Sequence, residues 1–307
     1  MTIKAAVAGD GTRNASRRTH LAKAAWDAVE SEIGRSAAFR LLAFFRATRP
    51  ISSLVAGAMS ASILIAVPGR LSLLSVAAGL AMTALAMFGF VVNDVFDYHK
   101  DAAAGVRRPI AAGELSIREA VILAVGLLAL VFLLSTIVGS GGKVLAITSL
   151  GLVAYSPIAQ RYSLGKGALV AGLCCSPLLY GSVVGGIPCP WFSYTTLACF
   201  VFGRETLMDA EELIGDRLAG LATIAAVLGC RRARGIGITV MFLSTIGLMV
   251  VARSNVGRIA VTAMLVCLMC VFLWPGLSDA TRIKLSRIPM LVGAVAIAIG
   301  SREPQVR

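Results

Sequence analysis

Sixteen acidic residues are few for a chain of 307, and they are not scattered. Asp94, Asp97 and Asp101 follow one apolar run, and Glu205, Asp209, Glu211, Glu212 and Asp216 follow another. In a helix, positions i, i+3 and i+7 lie on one narrow stripe. Asp94, Asp97 and Asp101 therefore point the same way. Glu205, Asp209, Glu212 and Asp216 extend a similar stripe over three turns, while Glu211 points elsewhere. Stacked carboxylates repel one another, and each is costly near a bilayer, so the arrangement asks for a compensating cation. Ligands that are oxygens alone select a hard metal. Magnesium commonly bridges one or two carboxylates to phosphate oxygens. Lys100, Arg107 and Arg108 follow the first cluster, and Arg204 and Arg217 bracket the second. Together these residues describe a diphosphate pocket. The plainer reading, that basic residues only follow the membrane charge bias, is preferred for Arg231, Arg232 and Arg234.

The two clusters also match each other. The spacing 94, 97, 101 recurs as 209, 212, 216, a constant offset of 115. Each is followed by the same short ending, Asp101-Ala-Ala-Ala-Gly105 and Asp216-Arg-Leu-Ala-Gly220. This pattern reads as an internal repeat whose halves each bring an acidic helix end to one site.

The elements that position these groups are membrane helices. Of the residues, 57% are hydrophobic and 15% charged, and the mean hydropathy is +0.84. Soluble domains carry about 25% charged residues, so the composition excludes a disordered chain and argues against a soluble enzyme. Apolar runs fall at about 51–67, 71–92, 119–139, 143–159, 167–186, 190–203, 235–252, 256–275 and 288–301. They predict an all-α polytopic membrane protein of nine spanning helices, or eight if the shorter runs merge. A period-2 barrel pattern is absent, and only helices then satisfy the backbone in lipid. With the N-terminus in the cytoplasm, the inner loops hold fourteen Lys/Arg and the outer loops four, as the positive-inside tendency requires. Both acidic clusters then face the cytoplasm. The +13 net charge follows from this bias and does not point to nucleic acid.

Residues 1–48 form a mixed polar tail, and 49–302 a single transmembrane domain. No cleavable signal peptide is read. Ala37, Leu41, Leu42, Phe44 and Phe45 alternate with Arg35, Arg40 and Arg46. That pattern suits either an amphipathic helix on the membrane surface or an extension of the first spanning helix. The seven cysteines sit almost entirely in apolar runs and read as small hydrophobes.

Asn93-Asp-Val-Phe-Asp97-Tyr-His-Lys-Asp101 resembles the NDxxDxxxD motif of the UbiA family of intramembrane prenyltransferases. Arg108-Pro-Ile-Ala-Ala-Gly113 resembles the segment that follows it there. Arg204-Glu-Thr-Leu-Met-Asp209-Ala-Glu-Glu212-Leu-Ile-Gly-Asp216 resembles the second acidic motif. Tyr155-Ser156, Arg161-Tyr162 and Gly165 resemble the loop after the fourth helix, and Thr48-Arg49-Pro50 the start of the first. The resemblance covers residue 48 to about 300. It implies nine helices around a central cavity capped on the cytoplasmic side, Mg2+ as cofactor, and a prenyl diphosphate held by both motifs. By the same resemblance Asn93, Asp97, Asp101, Asp209, Glu212 and Asp216 are metal ligands. Asp97, Asp101, Asp209 and Asp216 carry catalysis. Asn93, Asp94, Lys100, Arg108, Tyr155, Arg161, Arg204 and Glu212 contact substrate. Three features depart from the family. Glu212 stands where Asp is usual, Lys166 where a small amide residue is expected, and the lysine often found soon after Tyr155 is missing.

The expected reaction is transfer of a prenyl group to a hydrophobic acceptor, chiefly an aromatic ring of phenol or quinone type. Charge from the metal and the Arg/Lys donors stabilises the leaving diphosphate. Apolar walls, with Phe88, Phe90, Phe96 and Tyr180 as candidates, keep water from the allylic cation. Alternatives are a glycerol-phosphate-type lipid acceptor, toward which the RPIxxG and RE…DxEE…GD details lean, a terpene cyclase with no acceptor, and an ion-coupled transporter. The expected location is a prokaryotic cell membrane with the site facing the cytoplasm.

Overall fold

The structure, a computed structural model, describes residues 37–65, 73–103, 105–162, 165–218, 220–252, 255–290 and 292–293. Two compact units are distinguished, Met1–Phe45 and Arg46–Arg307. The first is described only from residue 37, where helix α1 (Ala37–Ala47) begins. Phe39, Leu41, Leu42 and Phe45 on it are exposed. Most of the tail, Arg35 included, lies outside the described residues.

The second unit contains α2 (Pro50–Ile65), α3 (Leu73–Phe96), α4 (Tyr98–Ala103), α5 (Ile117–Val138), α6 (Gly142–Arg161) and α7 (Lys166–Gly185). They are followed by α8 (Trp191–Glu211), α9 (Leu213–Leu218), α10 (Ile224–Leu228), α11 (Cys230–Val251), α12 (Asn255–Leu273) and α13 (Asp279–Leu285). No strand occurs among the described residues. Among the described residues five helices, α3, α5, α6, α7 and α11, are long and apolar enough to cross a membrane, or up to six if α1 and α2 count as one. The expected count of nine is thus not reached by length and composition. One reason is α8: the apolar run at 190–203 and the first part of the second acidic motif, Arg204 to Glu211, share a single helix, so its charges lower its apolar character. The last run, 288–301, lies mostly outside the described residues.

Local chemistry fixes the ends. Ser116 caps α5 in a reciprocal box with Glu119, and Gly139 ends it with φ 71°, satisfying groups that lipid cannot. Pro177 inside α7 has no N–H to give the Leu173 carbonyl. The Ser176 hydroxyl donates to that carbonyl at 2.8 Å instead. Ser60 on α2 donates to the Pro177 carbonyl at 2.9 Å and ties the two helices.

Glycines let the helices cross closely. A Cβ on Gly57 of α2 would come within 2.5 Å of the Gly79 carbonyl on α3. A Cβ on Gly237 of α11 would meet the Gly203 carbonyl on α8 at 2.6 Å. Small residues of this kind drive helix association where hydrophobicity offers no preference between helix and lipid. Around these crossings Met59, Ile63, Leu178, Phe200, Met241 and Met264 form a buried core. The most apolar of the candidate spans, α5, buries little of its surface within the described residues.

The repeat seen in the spacing is present in the backbone. Helix α3 breaks at Asp97 and resumes as α4 over 98–103, and α8 breaks at Glu212 and resumes as α9 over 213–218, again 115 residues on. Gly105 and Gly220 both turn with positive φ, 66° and 70°. The next amides, of Val106 and Leu221, return to the carbonyls of Asp101 and Asp216 at 2.9 and 2.8 Å.

A candidate active site of two acidic helix ends

Although α3 and α4 are separated at Asp97, the i to i−4 bonds persist: the Asp97 amide donates to the Asn93 carbonyl at 2.9 Å and the Asp101 amide to the Asp97 carbonyl at 2.8 Å. The stripe therefore survives the break. Arg108 demonstrates it, because its Nη1 lies 3.3 Å from Asp94 Oδ1, 3.6 Å from Asp97 Oδ2 and 2.7 Å from Asp101 Oδ2. Asp94 and Asp101 are buried. Burial pushes the Asp101 carboxyl up to about 6, against the pull of Arg108. Asn93 is oriented on both sides. The Ser156 hydroxyl donates to its Oδ1 at 3.3 Å, and its Nδ2 donates to Asp97 Oδ2 at 3.0 Å.

In the second motif Asp209 and Asp216 are buried and Glu212 is exposed. The fold brings the two motifs together through Lys100. Its ammonium, carried by α4, donates to Asp216 Oδ1 on α9 at 2.7 Å and stands 3.9 Å from Glu212 Oε2. Tyr155 on α6 lies within electrostatic range of Asp97 and Asp209 and so belongs to the same site. Arg161 closes α6, and its side chain is outside the described residues. Arg204 is buried beside Glu205 at 3.2 Å, and its Nε has no hydrogen-bond partner among the described residues.

Three contacts were not anticipated. Arg49 donates to Asp94 Oδ1 at 2.6 Å and lies 4.7 Å above the Phe90 ring. Its φ is 45°, the only left-handed non-glycine among the described residues, a conformation that persists only where surroundings impose it. Lys166 donates to Asp209 Oδ1 at 3.0 Å. Ser156 holds Asn93. The pairs at 49 and 166 span more than 40 residues, so no local spacing announces them. The unusual lysine at 166 was the one available signal. Tyr180, by contrast, lies far from the acidic cluster. It sits fourteen residues beyond Lys166 on α7, about 21 Å along the axis, and packs where a Cβ on Gly141 would strike its ring at 2.7 Å.

Whether the residues fit a hard divalent ion can be judged from the oxygens. Asp94 Oδ2 and Asp216 Oδ2 are buried with no hydrogen-bond donor among the described residues, which is costly unless a cation serves them. The donor set is oxygen throughout, as Mg2+ requires. No three acids among the described residues are drawn close enough to cage an ion by themselves, because side-chain cations stand between them. The donors fit the ion, and the site is closed on the protein's own charges.

The sequence pattern of the UbiA prenyltransferase family matches residues 54–294. The chain belongs to the UbiA prenyltransferase family. As a UbiA protein with several apolar spanning helices, it is an integral membrane protein. It is 33% identical over 189 residues to the digeranylgeranylglyceryl phosphate synthase of Natronomonas pharaonis, covering 60% of this chain and 68% of that one. In fold it resembles a UbiA homolog from Aeropyrum pernix K1, with TM-score 0.66 and 19% identity over 82% of this chain and 98% of that one. It also resembles a UbiA homolog from Archaeoglobus fulgidus bound to GPP and Mg2+, with TM-score 0.62 and 16% identity over 84% and 99% of the two chains. The all-α UbiA fold and the prenyltransferase class expected from the motifs are thus borne out.

Proposed function

We propose that this chain carries out Mg2+-dependent transfer of a prenyl group from a prenyl diphosphate to the hydroxyl of a glycerol-phosphate-type lipid. The observation that carries the reading is the meeting of two acidic helix ends through Lys100, with a buried carboxylate oxygen on each, Asp94 Oδ2 and Asp216 Oδ2, left without a donor among the described residues. The likeness to a UbiA homolog bound to GPP and Mg2+ supports the diphosphate and the ion. The similarity to a digeranylgeranylglyceryl phosphate synthase favours the lipid acceptor over an aromatic ring.

In this reading Asn93, Asp97 and Asp101 hold Mg2+ on one side, and Asp209, Glu212 and Asp216 on the other. The ion supplies positive charge against the departing diphosphate. Lys100, Arg108 and Arg204 donate to the phosphate oxygens as the allylic C–O bond breaks and its electron pair leaves with the diphosphate. The acceptor oxygen then forms the new C–O bond and gives up its proton. Phe88 and Phe90, on the apolar length of α3, exclude water from the cation. The site opens to the cytoplasm of a prokaryotic cell.

The test is product analysis of membranes containing the protein, supplied with Mg2+, geranylgeranyl diphosphate and either geranylgeranylglyceryl phosphate or hydroxybenzoates. A Mg2+-dependent ether of the glycerol lipid is expected, and its loss in Asp97→Ala and Asp209→Ala protein that is still folded and inserted. Full activity in both variants refutes the metal–diphosphate site. An adduct with the aromatic ring alone replaces the lipid acceptor, and a terpene formed without acceptor replaces transfer by cyclisation.

A further inference from the structure

Asp216 and Asp209, two of the buried carboxylates of the second motif, each carry a lysine from elsewhere in the chain, whereas the third, Glu205, pairs with its neighbour Arg204. Lys100 takes Asp216, and Lys166 takes Asp209. The two lysines differ in what else they do. Lys100 comes from the first motif's own helix and joins the halves. Lys166 opens α7 directly after Gly165 and reaches Asp209 with its Nζ at 3.0 Å. Its side chain is 13% exposed and that of Asp209 is 4%, so the pair is withdrawn from water. Tyr155, Glu205 and Glu212 lie within electrostatic range. No second cation touches Asp209 among the described residues. Lys166 thus occupies the carboxylate that a divalent ion would need.

We propose that Lys166 is the resident counter-ion of Asp209 in the metal-free protein, and that it sets how tightly this motif takes a divalent ion by having to give up that carboxylate. The inference rests on the metal-site reading above. A buried ammonium opposes an incoming ion twice. It forms an ion pair that must be broken, and its charge repels the ion from a few ångströms away in a medium that screens poorly. Both effects weaken metal binding while no diphosphate is present. When a diphosphate arrives, its oxygens offer the displaced ammonium a new partner. Metal and diphosphate are then expected to bind together more tightly than either alone, a coupling free energy that passes through this one side chain. Lys166 is in these terms a positioning residue, acting through Asp209.

The measurement is Mn2+ affinity of the purified full-length protein, by electron spin resonance, without and with inorganic diphosphate. In Lys166→Met protein the apparent Kd for Mn2+ without diphosphate should fall at least tenfold, and the tightening caused by diphosphate should shrink. Lys166→Gln removes the charge but keeps a donor for Asp209. It should fold where the methionine variant fails and show the same direction. Lys166→Arg, which keeps the charge, should bind as the unmodified protein does. Asp209→Asn combined with Lys166→Met should abolish the gain. Equal or weaker Mn2+ binding in folded Lys166→Gln protein overturns the counter-ion role and leaves the metal site standing. Absence of saturable Mn2+ binding in the unmodified protein, with diphosphate present, overturns both.

Discussion

Replacing Lys100 by methionine removes the ion pair that joins the two acidic helix ends and keeps most of the side chain's volume. The pair is 2.7 Å long, with Asp216 fully buried and Lys100 24% exposed. At that separation and an effective dielectric near 20, the attraction is about 6 kcal/mol, much of it cancelled by desolvation. Breaking a buried pair by removing one partner costs about 3–5 kcal/mol, because a charge is left stranded. Exposure of Lys100 puts this pair at the lower end, about 3 kcal/mol. Asp216→Asn should cost about as much or less. The double variant strands no charge, so its loss should fall well short of the sum. Reversible urea or thermal unfolding in detergent micelles, run as a double-mutant cycle without metal, reads the coupling. A second signature follows from Asp216 Oδ2, which already lacks a donor among the described residues. Mg2+ should restore more stability to Lys100→Met than it adds to the unmodified protein. Single losses that add to within about 0.5 kcal/mol in the double variant would show that the pair does not hold the two motifs together.

Other consequences can be measured on the same preparations. Asp101, raised by burial to about 6, holds a proton in the folded chain that the unfolded chain has released between about pH 4 and 6. The metal-free protein should therefore lose stability as pH rises through that window, by up to about 3 kcal/mol. The Asp101→Asn melting temperature should change less with pH, and equal slopes would exclude Asp101 as the source. Gly237→Ala should destabilise by about 1–3 kcal/mol through collision with the Gly203 carbonyl. Gly235→Ala, two residues away with nothing near its Cβ, should be neutral or slightly stabilising, and a matching loss there would remove packing as the cause. Ser156→Ala should raise the Mg2+ concentration needed for half-maximal turnover several-fold while sparing the fold, since Asn93 loses the donor that orients it. An unchanged Mg2+ requirement would make that hydrogen bond incidental.

Much of this site is legible in the amino-acid sequence. The 115-residue offset, carried by five matched positions (three acidic, one alanine and one glycine), marks paired helix breaks, paired short helices and paired left-handed glycines. It was readable because backbone devices such as a glycine with positive φ leave fixed residue types at fixed intervals. Convergence of Asp94, Asp97 and Asp101 followed from helical periodicity and holds across the break at Asp97. Partner choice was not legible. Arg108 is marked by its place after the first cluster, but Arg49, which also reaches Asp94, looks in the sequence like any cation beside a membrane helix. Which basic side chain enters the site depends on how helices cross, and the crossings depend on pairs such as Gly57 and Gly79 that carry no charge signal. The count of nine helices is not confirmed among the described residues, for a related reason. Apolar runs measure local composition, whereas α8 is continuous through Arg204, Glu205 and Asp209 because neighbouring helices, not lipid, surround those groups.

The repeat reaches the backbone and the carboxylates, and it stops there. Adding 115 to Arg108 gives Thr223, to Lys100 gives Gly215, and to Asn93 gives Met208. Two half-sites of one architecture therefore present unlike chemistry: an arginine fork and a carboxamide on one side, a pair of lysine ammoniums on the other. A symmetric cradle would accept a diphosphate equally well in either direction. A prenyl diphosphate has a bridging ester at one phosphorus and three terminal oxygens at the other, and only one direction aims its chain into the apolar interior. Divergence of the cations after duplication gives a two-fold scaffold a sense of direction.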